Sequence, residues 1–469
     1  MSADITLSLW LFFLLVLIAA IAILDRILIP STRWFLRRRI NRVIDEIGTR
    51  LDIEIRPFQL TKRQILIDRL AYDPSVLEAI KAYAVAHDMP MEVVQNKVTT
   101  YAREIVPSFN AYLYFRIGYW VAKKVARMLY RVRVGLFKEG HYANIDPEST
   151  VVFVMNHRSN MDYVLVAFLA AERTTLSYAV GEWAKIWPLQ MLIRAMGAFF
   201  VRRKSGNPLY RRVLERYIHM ATREGVCQAV FLEGGLSRDG CLNAPKLGLV
   251  DYMVRQFDPS TDRDIVFIPV GINYDRAIED RSLLRTLEPE AEKRSWWFVC
   301  RTTTRFILRS LMLMVLSRWR QYGFACVNFG TPLSVKSYCQ KHDVSFGHLE
   351  RSQRFPEIEK MCRQLMDTVA EVIPVLPVSL VSTVFLEHAH EEMDVLEVER
   401  YSNQLLDKLK SKGAPILESS HSARGKAIAD AVDLMLLRGM IEANGEGLKA
   451  ASGEKRLLAY YANAIVHWQ

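Results

Sequence analysis

The strongest constraint on the fold is a series of short apolar runs in the central part of the chain, rich in β-branched and aromatic residues. Longer stretches of helical character separate most of them, as at residues 163–171 and 209–223. Such alternation is typical of an α/β sheet, which binds ligands beyond the carboxyl ends of its strands. The six predicted strands are residues 151–155, 176–180, 198–201, 228–232, 265–270 and 325–329.

The chain of 469 residues is too long for one ordinary domain, since domains average about 150 residues. Composition shifts along it predict four parts. They are a membrane anchor (1–28), a helical region (29–104), a domain that contains the sheet (105–375) and a C-terminal helical domain (376–469). A helix-start signal, Asp73-Pro74-Ser75, lies within the second part.

Residues 5–24 form an apolar run that is long enough to span a bilayer, about 30 Å at 1.5 Å per residue. Six arginines follow it within 18 residues and only Asp4 precedes it, which predicts a single N-terminal span with the rest of the chain in the cytoplasm. A cleaved signal peptide is the alternative, because Ala20-Ile21-Ala22 resembles a cleavage site. The run lacks a basic leader, however, and exceeds the usual length of a signal sequence.

The net charge of +11 favours an anionic partner such as a membrane surface, a nucleic acid or a phosphorylated substrate. Two basic segments, 107–134 and 301–320, have the composition either of helices at a lipid interface or of buried helices with a solvated basic face. No nucleic-acid-binding module or P-loop is present. The six cysteines form no C-x-x-C pair, so neither a metal site nor a disulfide scaffold is expected.

The strongest chemical signal is the polar loop 156–162, which follows the first predicted strand. His157 lies on this loop, and Asp162 lies five residues further on, in the first turn of the next helix. A carboxylate on one imidazole nitrogen fixes the tautomer and raises the basicity of the other, so this pair is a candidate general base. Ser159 and Asp162 also fit a capping box, in which Asp162 would only satisfy the start of the helix.

Two further strand ends carry polar residues. Arg202 and Arg203 follow the third strand directly. A guanidinium group can bind two phosphate oxygens at once, which makes these residues candidates for phosphate binding. The alternative is a strand end with two solvated arginines. The fourth strand runs into the segment 233–240, where paired glycines allow close backbone approach to an anion or simply form a tight turn. A serine hydrolase is excluded because position 239 is aspartate, where a nucleophile elbow requires glycine.

These blocks resemble, in their order, the glycerolipid acyltransferase family, whose hallmark is N-H-x-x-x-x-D, a strand that ends in arginine, E-G-x-x-S/R and a proline-bearing strand. The resemblance covers roughly residues 100–469 and is greatest to the bacterial membrane-bound glycerol-3-phosphate 1-O-acyltransferases. The matching segments are 101–106, 156–163, 197–203, 233–240, 245–246 and 460–463. The chain departs from the family at Leu236, where these enzymes usually carry arginine, and it is shorter at its N-terminus than the long bacterial members.

The resemblance implies an α/β fold with a mixed sheet flanked by helices, and acyl transfer from acyl-CoA or an acyl carrier protein thioester to the 1-hydroxyl of glycerol 3-phosphate. The product would be lysophosphatidate, in the first step of phospholipid biosynthesis at the inner membrane. No metal or redox cofactor is implied. Acylation of lysophosphatidate or dihydroxyacetone phosphate, and a non-catalytic lipid-binding protein of the same fold, are the alternatives.

The resemblance also implies roles for individual residues. His157 would be the base and Asp162 its orienting partner. Glu233 would organise the cations, and the amides of the two glycines would hold phosphate or the developing oxyanion. The predicted substrate-binding residues are Arg158, Ser159, Arg202, Arg203, Glu233, Gly234, Gly235, Ser237, Arg238 and Lys246.

Overall fold

The computed structural model describes residues 56–111, 113–135, 145–170, 176–181, 189–202, 205–288, 321–417, 421–445 and 447–469. The predicted membrane span at 5–24 and the basic segment 301–320 lie outside these residues. In the part of the chain that the structure describes, no helix combines the length and the apolar character needed to cross a membrane.

The sheet is mixed, as the family resemblance implies. Within the described residues it has eight strands in the order β1-β7-β6-β2-β5-β3-β4, with β8 beside β6. β2 runs parallel to both β5 and β6, whereas β7 runs antiparallel to β6. The strands of this sheet are β1 (Arg131–Val134), β2 (Thr150–Met155), β3 (Ser177–Gly181), β4 (Phe199–Val201), β5 (Gln228–Phe231), β6 (Ile265–Tyr274), β7 (Phe324–Phe329) and β8 (Leu333–Ser334).

Helices flank the sheet and form most of the remaining structure. In chain order they are α1 (Pro57–Leu60), α2 (Arg63–Ala71), α3 (Pro74–Ala86), α4 (Met91–Ile105), α5 (Tyr119–Leu129), α6 (Met161–Ala170), α7 (Leu189–Ala195), α8 (Pro208–Arg223), α9 (Gly248–Val254), α10 (Asp280–Arg285), α11 (Val335–His342), α12 (Arg351–Val372), α13 (Pro377–Glu387), α14 (Val395–Ser411), α15 (His421–Leu437) and α16 (Lys455–Ala462). A π-helix (Leu113–Gly118) precedes α5, and 3₁₀-helices occupy Phe346–His348 and Asn463–Trp468.

The centre of the sheet places three loops side by side. All ten residues of β6 are buried, and β2 lies between β5 and β6. Because these three strands run parallel, their carboxyl ends meet at one edge. The loops that begin at Asn156, Leu232 and Asp275 are therefore neighbours, although they lie far apart in sequence.

The N-terminal helices share a hydrophobic core with the sheet. The Asp73 side chain caps α3 by accepting a hydrogen bond from the amide of Ser75 at 3.0 Å, as the helix-start signal predicts. α3 and α4 pack on α8, and Val76 and Val98 are fully buried in the same cluster as Val152 of β2. The helical region thus contributes one layer of the sheet's own core.

The basic segment 107–134 is helical only in part. α5 buries Ala122 and Ala126 against α6, while Trp120 is 58% exposed. The interpretation of the whole segment as a helix is wrong for its last four residues, because Arg131–Val134 form β1, paired parallel with β7. Pairing with a strand almost 200 residues away outweighs the local helical pattern there.

The C-terminal region also departs from the all-helical expectation. Its helices α13 to α16 pack around one hydrophobic cluster, but β9 (Ile441–Asn444) and β10 (Gly447–Ala450) form an antiparallel hairpin between α15 and α16. Asn444 pairs with Gly447, so a two-residue connection joins the strands, and it begins with Gly445 at φ +61°. Glycine adopts such a positive φ readily and is favoured at the first position of tight hairpin turns. The turn chemistry therefore interrupts the helical pattern.

Close packing between β6 and the end of α12 leaves no room for a side chain at Gly271. A β-carbon there would lie 2.6 Å from backbone atoms of Val372 and Ile373. Gly271→Ala is expected to lower the free energy of unfolding by about 1–3 kcal/mol through overpacking, as measured by urea denaturation. Gly206→Ala is the matched control, since no atom lies within 4 Å of a β-carbon at that position. Equal stability of the two variants would contradict this packing.

Candidate active site

His157 and Asp162 form a buried pair at the carboxyl end of β2. His157 Nδ1 lies 2.9 Å from Asp162 Oδ2, and the two side chains are 1% and 0% exposed. Since a carboxylate only accepts hydrogen bonds, the neutral imidazole carries its proton on Nδ1, and Nε2 keeps a free lone pair. Nε2 is buried and has no hydrogen-bond partner among the described residues.

Asp162 also caps its own helix, so both interpretations of the sequence apply together. Asp162 Oδ2 accepts hydrogen bonds from the amides of Arg158 at 2.8 Å and Ser159 at 3.1 Å. The Ser159 hydroxyl accepts from the Met161 amide at 3.1 Å. The capping geometry thereby fixes the carboxylate that holds the imidazole.

Tyr274, at the end of β6, is a site residue that the sequence analysis missed. Its hydroxyl donates a hydrogen bond to Asp162 Oδ1 at 2.7 Å. Burial and the nearby Asp162 carboxylate raise the pKa of Tyr274 well above its ordinary value, so the hydroxyl remains a donor. Tyr274 follows the predicted strand 265–270, and no sequence pattern indicates that this strand pairs with the strand before His157.

Two further contacts fix the His157 loop. The Asn156 side chain exchanges two hydrogen bonds with the backbone of Ile272, at 2.9 and 2.8 Å, and so extends the pairing of β2 with β6 beyond the strand. The His157 ring stacks on Phe231 with centroids 3.9 Å apart, and Tyr163 meets it edge-on at 5.5 Å. These contacts leave little freedom for the imidazole.

A cleft of about 690 Å³ opens beside His157. The described residues that line it include three cations, Arg202, Arg211 and Lys246, and no acid. Its apolar wall includes Val180, Val201, Leu214, Val230, Leu232 and Leu249. The cleft therefore combines basic groups with a surface suited to hydrocarbon.

Arg202 reaches this cleft as part of an ion pair. Its guanidinium donates two hydrogen bonds to the Glu104 carboxylate, at 2.9 and 2.5 Å, and lies over the rings of Tyr101 and Tyr210. The hydrogen bonds to Glu104 raise the pKa of Arg202 above its ordinary value. Arg203 lies outside the described residues.

Glu233 bonds the backbone of two loops, and its implied role in organising the cations stays a prediction. Its Oε1 accepts a hydrogen bond from the His157 amide at 2.8 Å. Its Oε2 accepts from the amide of Asn243 at 3.0 Å and from that residue's side chain at 2.7 Å. Burial raises the pKa of the Glu233 carboxyl despite these donors.

The rest of the segment 233–240 divides between the cleft and the loop interior. Gly234, with φ +69°, lines the cleft beside Lys246, but its amide donates to Phe231 O at 3.0 Å within the turn. The Ser237 hydroxyl donates to Cys241 O at 2.7 Å and holds the loop together. Arg238 is exposed, and neither it nor Gly235 is among the residues that line the cleft.

Arg158 and Ser159, which were predicted to bind substrate, are not among the described residues that line the cleft. The Arg158 guanidinium donates to Gly240 O and lies over the Tyr460 ring at 4.6 Å. The Ser159 hydroxyl donates to Glu279 at 2.7 Å. Both side chains connect loops. In the described part of the chain, no group of three or more His, Cys, Asp or Glu side chains is arranged to hold a metal ion.

Comparison with known protein families matches two parts of the chain. A family model described as "Acyltransferase" matches residues 138–273, and one described as "Glycerol-3-phosphate acyltransferase C-terminal region" matches residues 310–468. Both descriptions agree with the family resemblance of the motifs.

Several similar proteins are named glycerol-3-phosphate acyltransferase. A glycerol-3-phosphate acyltransferase of Aeromonas hydrophila is 28% identical over 87% of this chain and 50% of its own length. One of Pseudomonas entomophila is 27% identical over 87% of this chain and 49% of its own length. A solved 1-acyl-sn-glycerophosphate acyltransferase from Thermotoga maritima is 15% identical, with a TM-score of 0.30, over 65% of this chain and 97% of that one. The chain spans about half the length of the curated relatives it matches.

Loss of the Tyr274 hydroxyl should destabilise the site. Tyr274→Phe leaves a buried carboxylate short of one donor, and hydrogen bonds to charged groups contribute about 1.5–3 kcal/mol. We expect the free energy of unfolding to fall by that amount in urea denaturation. Tyr178→Phe is the control, because Tyr178 is also buried but its hydroxyl makes no hydrogen bond among the described residues. A similar loss in both variants would mean that the Asp162 contact contributes nothing specific.

Proposed function

We propose that this protein transfers an acyl group from acyl-CoA or an acyl carrier protein thioester to the 1-hydroxyl of glycerol 3-phosphate. The product is lysophosphatidate, and the reaction is the first step of phospholipid biosynthesis. The observation that carries the proposal is the His157–Asp162 pair, with an unpartnered Nε2 at the wall of a cleft that is both basic and apolar. The names of the relatives support the choice of acceptor.

In the proposed reaction, His157 Nε2 accepts the proton of the 1-hydroxyl as its oxygen attacks the thioester carbonyl carbon. The Asp162 carboxylate stabilises the imidazolium that forms. Collapse of the tetrahedral intermediate breaks the carbon–sulfur bond, and His157 returns the proton to the departing thiolate. An ester and a free thiol result, with no change in oxidation state.

Basic side chains of the cleft bind the acceptor phosphate in this proposal. Arg202, Arg211 and Lys246 line the cleft. Arg203 follows Arg202 in the sequence, and Arg238 is exposed in the loop after β5. Arginine and lysine bind phosphate through charge-assisted hydrogen bonds. The phosphate would share Arg202 with Glu104, so Glu104 holds the guanidinium at the cleft before the acceptor arrives.

The acyl chain and the membrane account for the apolar features. The apolar wall of the cleft would receive the acyl chain of the donor. The run 5–24 would anchor the chain in the inner membrane, with the catalytic domain on the cytoplasmic side. The exposed face of α5, which carries Trp120 and Lys124, would contact lipid.

The proposed activity is tested with labelled palmitoyl-CoA and, in parallel, glycerol 3-phosphate, lysophosphatidate and dihydroxyacetone phosphate. We expect lysophosphatidate from glycerol 3-phosphate, at a rate that falls about 10²–10⁴-fold in His157→Ala. His390→Ala, at an exposed histidine, should retain full activity. Near-normal turnover by folded His157→Ala would refute the base. Product from another acceptor alone would keep the mechanism and change the assigned substrate. If no acceptor gives product with palmitoyl-CoA, the assay is repeated with an acyl carrier protein thioester. No product with that donor would favour a non-catalytic lipid-binding protein.

Arg202→Ala should weaken acceptor binding selectively. Loss of charge-assisted hydrogen bonds to phosphate is expected to raise the apparent KM for glycerol 3-phosphate roughly 10- to 100-fold. The KM for palmitoyl-CoA should change much less in the same steady-state assay. Arg363→Ala, at an exposed helical ion pair with Glu359, is the matched control. Equal effects of Arg202→Ala on both KM values would argue against phosphate binding.

A further inference from the structure

One segment of the C-terminal unit contacts all three loops that build the candidate site. This segment, residues 455–463, consists of α16 and Asn463. Tyr460 meets the loop after β2, Tyr460 and Asn463 meet the loop after β5, and Tyr461 meets the loop after β6. The arrangement is unexpected for a separate helical unit, because it joins the end of the chain to the centre of the sheet.

Arg158 and Tyr460 form the first of these connections. The Tyr460 hydroxyl donates to Arg158 O at 3.2 Å, while the Arg158 guanidinium lies over the Tyr460 ring and also bonds Gly240 O. Both residues are buried, at 4% and 0% exposure. The residue next to His157 is therefore fixed by a residue 302 positions further along the chain.

The loop after β5 is attached to the same segment more extensively. Gly240 has φ +91°, and a β-carbon there would lie 2.0 Å from Tyr460 O, so the two backbones are in direct contact. The Asn463 side-chain amide donates to Asp239 O at 2.9 Å. Leu236 is half-buried and packs on the hydrophobic cluster of the C-terminal unit.

These attachments surround Arg238. Leu236 and Asp239 are held by the C-terminal unit, and the Ser237 amide donates to His157 O at 2.9 Å. Arg238 itself remains exposed. Its backbone is thus fixed on both sides while its guanidinium stays available, which is the condition for binding an anion with little loss of conformational entropy.

We propose that Tyr460 and Asn463 are positioning residues for the acceptor: they hold the loop 234–240, whose Gly234 lines the cleft and whose Arg238 is exposed, in place for the phosphate bound beside His157. This inference rests on the proposed function, since it assigns the phosphate of the acceptor to that loop. Asn463 offers the sharpest test, because its side chain makes one hydrogen bond to the loop and is not among the described residues that line the cleft.

The test compares Asn463→Ala with Asn463→Asp in the full-length protein. The alanine variant loses one hydrogen bond, and we expect the KM for glycerol 3-phosphate to rise about two- to tenfold. The aspartate variant keeps the shape of the side chain but places a carboxylate oxygen, which cannot donate, against the carbonyl oxygen of Asp239. Its KM for glycerol 3-phosphate should therefore rise further. The KM for palmitoyl-CoA and the kcat should stay within about twofold. Asn444→Asp, in the hairpin of the same unit, is the matched control.

Hydrogen exchange supplies a readout that does not require activity. We expect amides 234–241 to exchange faster in Asn463→Asp than in the wild type, and at the wild-type rate in Asn444→Asp. An unchanged acceptor KM and unchanged exchange in Asn463→Asp would overturn the inference. Equal rises in both KM values together with a lower unfolding midpoint would also overturn it, as the role would then be merely structural. If the wild type acylates no acceptor, the proposed function fails. The hydrogen-exchange rates of amides 234–241 then still show whether Asn463 holds the loop.

Discussion

The carboxylate of Asp162 is the group on which the geometry of the site depends. Its two oxygens accept hydrogen bonds from the His157 ring, two loop amides and the Tyr274 hydroxyl. A fully buried carboxylate without such donors would cost several kcal/mol. The donors come from the loop after β2 and from the end of β6, and the carboxylate itself lies in the first turn of α6. Parallel pairing of β2 with β6 therefore brings the donors and the carboxylate together.

Other buried acids at the same sheet edge connect loops in a similar way. Asp275 accepts hydrogen bonds from the amides of Phe324 and Val378, and burial raises its pKa from 3.8 to about 6. A carboxyl with a raised folded-state pKa stabilises the fold below its unfolded value and loses that contribution as the pH rises through the folded value. At neutral pH the raised pKa of Asp275 therefore adds nothing to stability, while its hydrogen bonds still connect the end of β6 to β7 and α13.

Much of this architecture could be predicted where the signal is local. Six apolar runs became six strands, and the contact between Asp162 and His157 spans only five residues. Arg158 could not be placed, because its partners are Gly240 and Tyr460, far along the chain. β1 was missed for the same reason. The C-terminal hairpin differs, since Gly445 and Gly447 are a local turn signal within the stretch that was predicted to be helical.

The departure from the family at Leu236 has a physical explanation in this fold. The side chain at 236 does not line the cleft but packs on the C-terminal hydrophobic cluster. Leucine there removes no cation from the described cleft, where Arg202, Arg211 and Lys246 remain. It adds apolar burial that favours attachment of the loop to the C-terminal unit. At this position the chain therefore has an apolar anchor that attaches the loop to the C-terminal unit.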